Sequence, residues 1–255
     1  TLAPVTYNNL VLSGSGVKTL TSSVATTGTT KISGTASVTL VAPDKLANAG
    51  SVIFDGGTLS TGGNSDIVGT MNLTNSSTMN VTLGSGLNSL NFAASSGVTW
   101  TSGKVLTVIG WTGSFASTGT GGQLFAGSTS SGLTAAQLAQ IRFSIGGTYY
   151  AATILGSGEV VPSGIISYYS KTSGSLTTLA TWTSDITLTS TISPSNFTTA
   201  NQVFNIRNQA SPTIVGNWTV SGANSKIIVG DGTNACNFIV SGSQVLTAAT
   251  DISSN

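Results

Sequence analysis

The sequence predicts an all-β protein: a right-handed parallel β-helix, or solenoid, in two consecutive units with a short capping helix between them. Three observations support this fold class. Short runs alternate apolar and polar residues, similar runs recur about every 20 residues, and small polar residues dominate the composition. Helix signals are almost absent, so stacked strands are favoured over a helical or mixed fold.

The strand candidates are short, and Gly, Asn or Ser bounds each of them. β-Branched or aromatic residues occupy alternate positions, as expected for strands with one buried face. The clearest candidates are residues 7–12, 36–41, 51–54, 79–83, 217–220, 226–229 and 237–240.

The apolar positions of the first half fall into two sets that each recur roughly every 20 residues, a period typical of solenoids. The first set is Ile32, Val52, Met71 and Leu90, and the second is Val38, Leu59, Met79 and Val98. This pattern predicts two strands per coil, with equivalent apolar residues stacked in an inner column. An antiparallel sandwich of the immunoglobulin type explains the alternation equally well and the recurrence less well.

The composition suits a solenoid, with 41 Thr, 39 Ser, 32 Gly and 18 Asn among 255 residues. Gly and Asn tolerate the backbone of tight corners, and Thr and Ser suit outward strand positions. Charged residues make up only 6% of the chain. Because like charges stacked on neighbouring strands repel, a nearly uncharged surface favours coil stacking.

The pattern of strand and turn residues starts afresh after residue 162, which divides the chain into two parts. Residues 1–162 are predicted as the first solenoid unit, with about 105–162 as its C-terminal cap, since the open end of a repeat array needs closing. Within the cap, 132–141 reads as a helix with Thr134 as N-cap. A partner-binding helix is the alternative interpretation.

Residues 163–255 are predicted as a second solenoid unit. Its strand candidates follow one another at nearer ten residues than twenty, which indicates either smaller coils or more strands per coil. Because the chain begins at Thr1 and the strand pattern is still open at Asn255, we expect a piece of a longer protein that continues downstream.

Several classes of function are excluded by composition. The chain has no histidine, which excludes a Ser-His-Asp relay and His-ligated metals. Eight basic against seven acidic residues provide no basic patch for nucleic acid. No run of about 20 apolar residues predicts membrane insertion. Cys236 is alone, so it forms no intrachain disulfide, and we expect it to be a small buried hydrophobe.

Three evenly spaced carboxylates, Asp44, Asp55 and Asp66, are the candidate site residues. Alternate members of the series can approach one face of a coil, where they suit a calcium site or paired-acid catalysis. The favoured interpretation is that they are turn residues bonded to local backbone. No catalytic, cofactor-binding or metal-binding residue is otherwise predicted, and the tryptophans are expected in the core.

Three segments resemble a known group of proteins. Residues 7–20, Tyr-Asn-Asn-Leu-Val-Leu-Ser-Gly-Ser-Gly-Val-Lys-Thr-Leu, are similar to a phrase repeated in very large secreted surface proteins of Bacteroidota. The stretch from Tyr168 to Trp182, with 204–206 and 217–222, resembles another module of those proteins. Residues 133–162, ending in Gly-Glu-Val-Val-Pro, resemble the closing piece of autotransporter-like β-strand repeats.

The resemblance implies parallel β-helix repeats in exported adhesins at the cell surface. It further implies export by type IX secretion, with secretion or gliding-motility machinery as partners of the full-length protein. The expected function is therefore a non-enzymatic structural or adhesive segment that acts as a stiff stalk. A module that binds a glycan or abiotic surface through a flat Thr/Ser/Asn face is the alternative, and a β-helix carbohydrate-active enzyme ranks third.

Overall fold

The structure, a computed structural model, describes residues 6–20, 23, 26–82, 87–188, 192–209, 211–230, 236–240 and 242–254. It is 43% strand and 3% helical, so the all-β prediction is confirmed. The chain forms two compact units. The first consists of Thr1–Gly147 with Ala151–Ser163, and the second of Thr148–Tyr150 with Gly164–Asn255.

The first unit contains three columns of parallel strands, in which each strand pairs with one from the next turn of the chain. The first column is β1 (Leu10–Leu12), β3 (Thr29–Ser33), β5 (Ser51–Asp55) and β8 (Met71–Asn75). The second is β2 (Val17–Leu20), β4 (Ser37–Leu40), β6 (Thr58–Ser60), β9 (Ser77–Asn80), β11 (Leu106–Ile109) and β13 (Ile141–Ile145). The third is β7 (Asp66–Val68), β10 (Asn88–Phe92) and β12 (Gly122–Ala126).

The second column shows most clearly how the sequence builds the core. Its strands pair in register without a bulge, so one inward position aligns through five strands. The residues of that ladder are fully buried, at 0% exposure: Val38, Leu59, Met79, Val108 and Phe143. Each buried aliphatic or aromatic side chain contributes about 1.5–3 kcal/mol of transfer free energy. Repetition of this contribution holds the coils together.

The predicted recurrence appears directly in hydrogen bonds between successive coils. The Ser51 and Thr70 hydroxyls bond across 19 residues, Thr29 to Asn9 across 20, and Ser33 to Asp55 across 22. Later coils are longer. Val105 N donates to Ser76 Oγ across 29 residues, and Arg142 Nε to Thr107 Oγ1 across 35.

The longer coils move two segments away from their predicted places. Leu90 was expected in the first column, but β10 pairs with β7 and β12 in the third. Val98 and Trp100 were expected in a strand of the second column, and the structure has none there. Trp100 instead covers β8, because its Nε1 donates to Met71 O at 3.0 Å.

The first unit ends in antiparallel strands, so its sheets are mixed, and the predicted right-handed parallel β-helix is not confirmed. β14 (Thr148–Ile154) and β15 (Glu159–Pro162) pair antiparallel with each other, and β15 pairs antiparallel with β12. They join the second and third columns into one 11-stranded sheet. Within the predicted cap of 105–162, β11, β12 and β13 still extend the parallel columns.

The predicted helix forms, but it spans a single turn, α1 (Ala135–Leu138). Thr134 is its N-cap and forms a capping box with Gln137. The Gln137 Nε2 also donates to the carbonyl oxygens of Ser95 and Val98, both at 2.8 Å. The helix is therefore bonded to residues 95–98, in the segment that covers the end of the first column.

The second unit has two sheets. In the larger, β16 (Ile166–Ser170), β18 (Gln202–Ile206), β20 (Lys226–Val229) and β22 (Asp251–Ser254) pair in parallel, and β17 (Trp182–Thr183) pairs antiparallel with β16. The smaller pairs β19 (Trp218–Val220) with β21 (Leu246–Ala248), and a 3₁₀ turn spans Leu179–Thr181. From β18 to β22 the two sheets take strands alternately, so these coils have two strands each.

The predicted strand at 237–240 is not present. Phe238 packs against the core of the second unit, while Ile239 is 61% exposed. The neighbouring β20 pairs with β18 and β22 on its two sides, which leaves no edge for another strand. Two of the residues expected to be in strands or at the open end, Leu83 and Asn255, lie outside the described part of the chain.

Candidate functional site

Asp55 belongs to a charged cluster on the outward side of the first column. Its Oδ2 lies 2.8 Å from Lys31 Nζ and accepts a hydrogen bond from Ser33 Oγ at 2.8 Å, and its Oδ1 accepts one from Thr74 Oγ1 at 3.1 Å. The Lys31 hydrogen bond and then that of Ser33 lower the pKa of the carboxyl. Asp55 therefore ties three successive strands together, which is a structural role.

Asp66 is buried, at 1% exposure, at the start of the third column. Its Oδ2 accepts the backbone N–H groups of Lys45 and Leu46, each at 2.9 Å, and holds the preceding coil. Burial raises the pKa of Asp66 more than these two donors lower it. Nearby, Asp44 adopts a positive φ of 52° and its N–H donates to Ser65 O, in the manner of a turn residue.

The three predicted carboxylates therefore do not form one group. Asp44 approaches Asp66, as expected for alternate members of the series, and its negative charge contributes to the raised pKa of Asp66. Asp55 lies in the first column with Lys31. Among the described residues, no three His, Cys, Asp or Glu side chains come together as metal ligands would. Asp55 and Asp66 instead connect neighbouring coils through hydrogen bonds.

The outward side of the second column carries two aligned ranks of small polar residues. We define the hydroxyl face as these residues: Ser37, Thr58, Thr78 and Thr107 in one rank, and Thr39 and Ser60 in the other. All are half-buried by their neighbours. Equivalent residues on neighbouring strands of a sheet lie about 4.8 Å apart, and alternate residues along one strand lie about 6.6 Å apart. The hydroxyl face is thus a small regular lattice of hydroxyl and methyl groups.

In the other two described columns, the rank that runs through all or most strands mixes apolar side chains with amide or charged ones. The rank that aligns along the first column is Val11, Lys31, Ile53 and Asn72, and that of the third is Ile67, Asn91 and Phe125. Among the described strands, four hydroxyl residues align in the second column, while the first column aligns only Thr29 with Ser51. The high Thr and Ser content of the whole chain does not by itself produce the hydroxyl face.

The four tryptophans are in the cores, as the sequence predicts, while Phe115 is exposed. Trp100 and Trp111 are buried in the first unit, and Trp182, Trp218 and Phe204 in the second. The two tryptophans of the second unit stack with ring centroids 5.4 Å apart. An aromatic row available to stack on sugars is not found among the described residues. Cys236, expected to be a small buried hydrophobe, packs against the core of the second unit but is only partly buried, with its Sγ 3.6 Å from Gln209 O.

Sequence reasoning missed two buried carboxyls, each 1% exposed: Asp185 and, on β15, Glu159. The Glu159 Oε1 accepts the Gly119 N–H at 2.9 Å, and burial raises the pKa of Glu159. The available signal for Glu159 was a single acid set between apolar residues at the start of a strand, in the run Gly-Glu-Val-Val-Pro. The sequence resemblance assigns this run to a closing motif and gives the acid no role as a titratable group.

Within the described residues, no helix has the length and apolar character needed to cross a membrane. No family model, no curated protein and no solved structure matches the chain.

Proposed function

We propose that this chain is a non-enzymatic structural segment of a large exported adhesin at the cell surface, and that it works as a stiff stalk. In this proposal its units are right-handed parallel β-helices, the secretion route is type IX, and secretion or motility machinery engages the full-length protein. One observation carries the mechanical part: the in-register second column, whose inward ladder is fully buried through five strands.

The stiffness of such a stack follows from the direction of its hydrogen bonds. Backbone hydrogen bonds between strands of a parallel column run along the stacking direction, and the buried ladder adds apolar contact at each step. Side chains such as Asp55 and Asp66 add further bonds between coils. Bending such a stack opens several of these bonds at once.

A linker exchange tests the stalk. In the full-length protein, residues 6–254 are replaced by a Gly/Ser-rich flexible chain chosen for similar reach, which has no persistent structure. We expect export to continue and adhesion of the cells to fall severalfold. A control carries Ile67→Lys, an outward change on a strand where the side chain is already 53% exposed, and should adhere normally. Full adhesion with the flexible linker contradicts the stalk.

A second candidate function has its own observation, the hydroxyl face. A regular lattice of uncharged hydroxyl and methyl groups matches a neutral surface that itself repeats, such as a crystalline polysaccharide or an abiotic solid. Rigid strands fix the lattice before binding, which lowers the entropic cost of association. In this alternative the segment holds the surface directly.

Binding to insoluble polysaccharides and mineral particles tests the alternative. The purified chain should sediment with one of them, and Thr78→Lys, in the middle of the hydroxyl face, should reduce retention about tenfold. Ile67→Lys places the same charge on the third column and should leave retention unchanged. Equal retention of the two variants, or no retention of the parent chain, contradicts binding through this face.

A further inference from the structure

The segment of residues 111–121, here called the cap loop, leads from the second column to β12 and lies against β15. Ala116 N donates to Pro162 O at 2.8 Å, and Gly119 N donates to Glu159 Oε1 at 2.9 Å. Within the loop, Thr120 N donates to Thr112 O at 2.8 Å. The Glu159 side chain therefore fastens the far half of the cap loop to β15, and it does so through one oxygen.

Two buried polar groups at this place have no hydrogen-bond partner within the described part of the chain. They are Glu159 Oε2 and Trp111 Nε1. Both residues border Gly119, because a Cβ added there would lie 2.8 Å from Trp111 Nε1 and 3.2 Å from Glu159 Oε1. Unpaired buried polar groups are rare in native structures and call for a physical reason.

The groups around the carboxyl are neutral. The cap loop presents the Gly119 N–H and the Thr118 hydroxyl, and β12 presents the Gln123 amide, whose Nε2 also donates to Gly119 O at 3.3 Å. The Thr118 hydroxyl and the Gln123 amide act as donors that lower the pKa of Glu159, while Oε2 has no hydrogen-bond partner among the described residues.

The neighbouring strands supply no positive charge that pairs with Glu159. On β13, Arg142 directs its Nε to Thr107 Oγ1 at 3.0 Å, and the titratable side chains of β14 are Tyr149 and Tyr150. Burial raises the pKa of Glu159 more than Gly119, Thr118 and Gln123 lower it. The neutral carboxyl is the form that suits the closed cap loop.

We propose that Glu159 is a protonation-sensitive latch: the neutral carboxyl holds the cap loop closed on β15, and ionisation releases the loop. An ionised carboxylate needs several donors, and here one N–H is aligned on Oε1 and none on Oε2. Lifting the loop admits water to Oε2 and frees the Trp111 indole N–H. Because the folded-state pKa is raised, the latch is fully closed below the unfolded-state pKa and opens as pH rises through the folded-state value.

Nuclear magnetic resonance of the ¹⁵N-labelled full chain tests the latch, with the Gly119 amide and the Trp111 indole N–H as probes. We expect both resonances to titrate together, with a midpoint above the ordinary glutamate value. Quenching of Trp111 fluorescence by acrylamide should increase at least twofold over the same pH range. In Glu159→Gln, which keeps the shape and cannot ionise, both probes should stay in the closed state at every pH.

Two further variants separate the latch from general effects. Asp55→Asn removes a distant carboxyl and should titrate like the parent chain. Gly119→Ala places a methyl group between Trp111 and Glu159, so the midpoint should fall toward the ordinary value and Trp111 should be exposed even in acid. An unchanged titration in Glu159→Gln, a closed loop in Gly119→Ala, or a parent midpoint at or below the ordinary glutamate value overturns the proposal.

Discussion

The two units build their cores from stacked strands in different ways. The first unit repeats a narrow ladder, in which residues such as Leu59 and Met79 occupy the same position in successive coils. The second unit packs its largest side chains in one aromatic cluster around Phe204. The ring centroid of Phe204 lies 5.0 Å from that of Trp182 and 5.4 Å from that of Tyr168. A repeating ladder spreads stability over many small contributions, while a cluster concentrates it in a few side chains.

Phe204→Ala should lower the free energy of unfolding most, because the ring also packs against Phe197 and Trp218, with ring centroids 5.2 Å and 6.1 Å away. Its removal should cost about 3–5 kcal/mol. The near-ultraviolet circular dichroism of the stacked Trp182 and Trp218 should be lost at lower urea concentration. Phe204→Leu keeps much of the volume and should lose clearly less. Equal losses for both variants would show that the cluster is not the centre of this core.

Leu59→Ala tests the ladder of the first unit and should rank second, at about 2–4 kcal/mol. The residue is fully buried between Val38 and Met79. Ser60→Ala, on the outward side of the same strand, should change the free energy of unfolding by less than about 0.5 kcal/mol. Urea denaturation of the two variants makes the measurement. A loss for Leu59→Ala above that for Phe204→Ala would reverse the comparison.

Gln137→Ala tests how far the stability of the first unit depends on the segment that covers the end of its first column. The change leaves the carbonyls of Ser95 and Val98 without their side-chain donor, at a cost of about 2 kcal/mol. Gln140→Ala removes more exposed bonds, to Thr101 O and Lys104 O, and should cost less. Thermal unfolding compares the two, and the opposite ranking would place the closure elsewhere.

Asp55→Asn should have the smallest effect, about 0.5 kcal/mol at neutral pH, because its ion pair with Lys31 is partly exposed. The sign with pH is fixed by the lowered pKa of Asp55. The contribution is present above the unfolded-state pKa and is lost as pH falls through the folded-state pKa. Parent and variant should therefore converge in stability in acid. A difference that grows in acid would contradict the assignment.

The sequence predicts the early coils well because alternation and period reinforce each other there. It places Leu90 wrongly because the step from Met71 to Leu90 fits the period, and only strand pairing reveals that β10 belongs to a third column. Likewise, nothing local distinguishes 237–240 from a strand, and only the pairing pattern shows that this segment joins no sheet. The hydroxyl face and the burial of Glu159 arise from pairing between distant segments, which composition does not report.

The lengthening of the coils has a consequence for how such a chain can evolve. In the second column, strands paired across 20 or 21 residues and strands paired across 29 or 35 residues belong to the same stack. Each added strand advances the stack by about 4.8 Å whatever the length of its coil. Insertions between columns therefore leave the repeat of the stack unchanged. A lineage can lengthen these corners, and place new chemistry on them, without retuning the core.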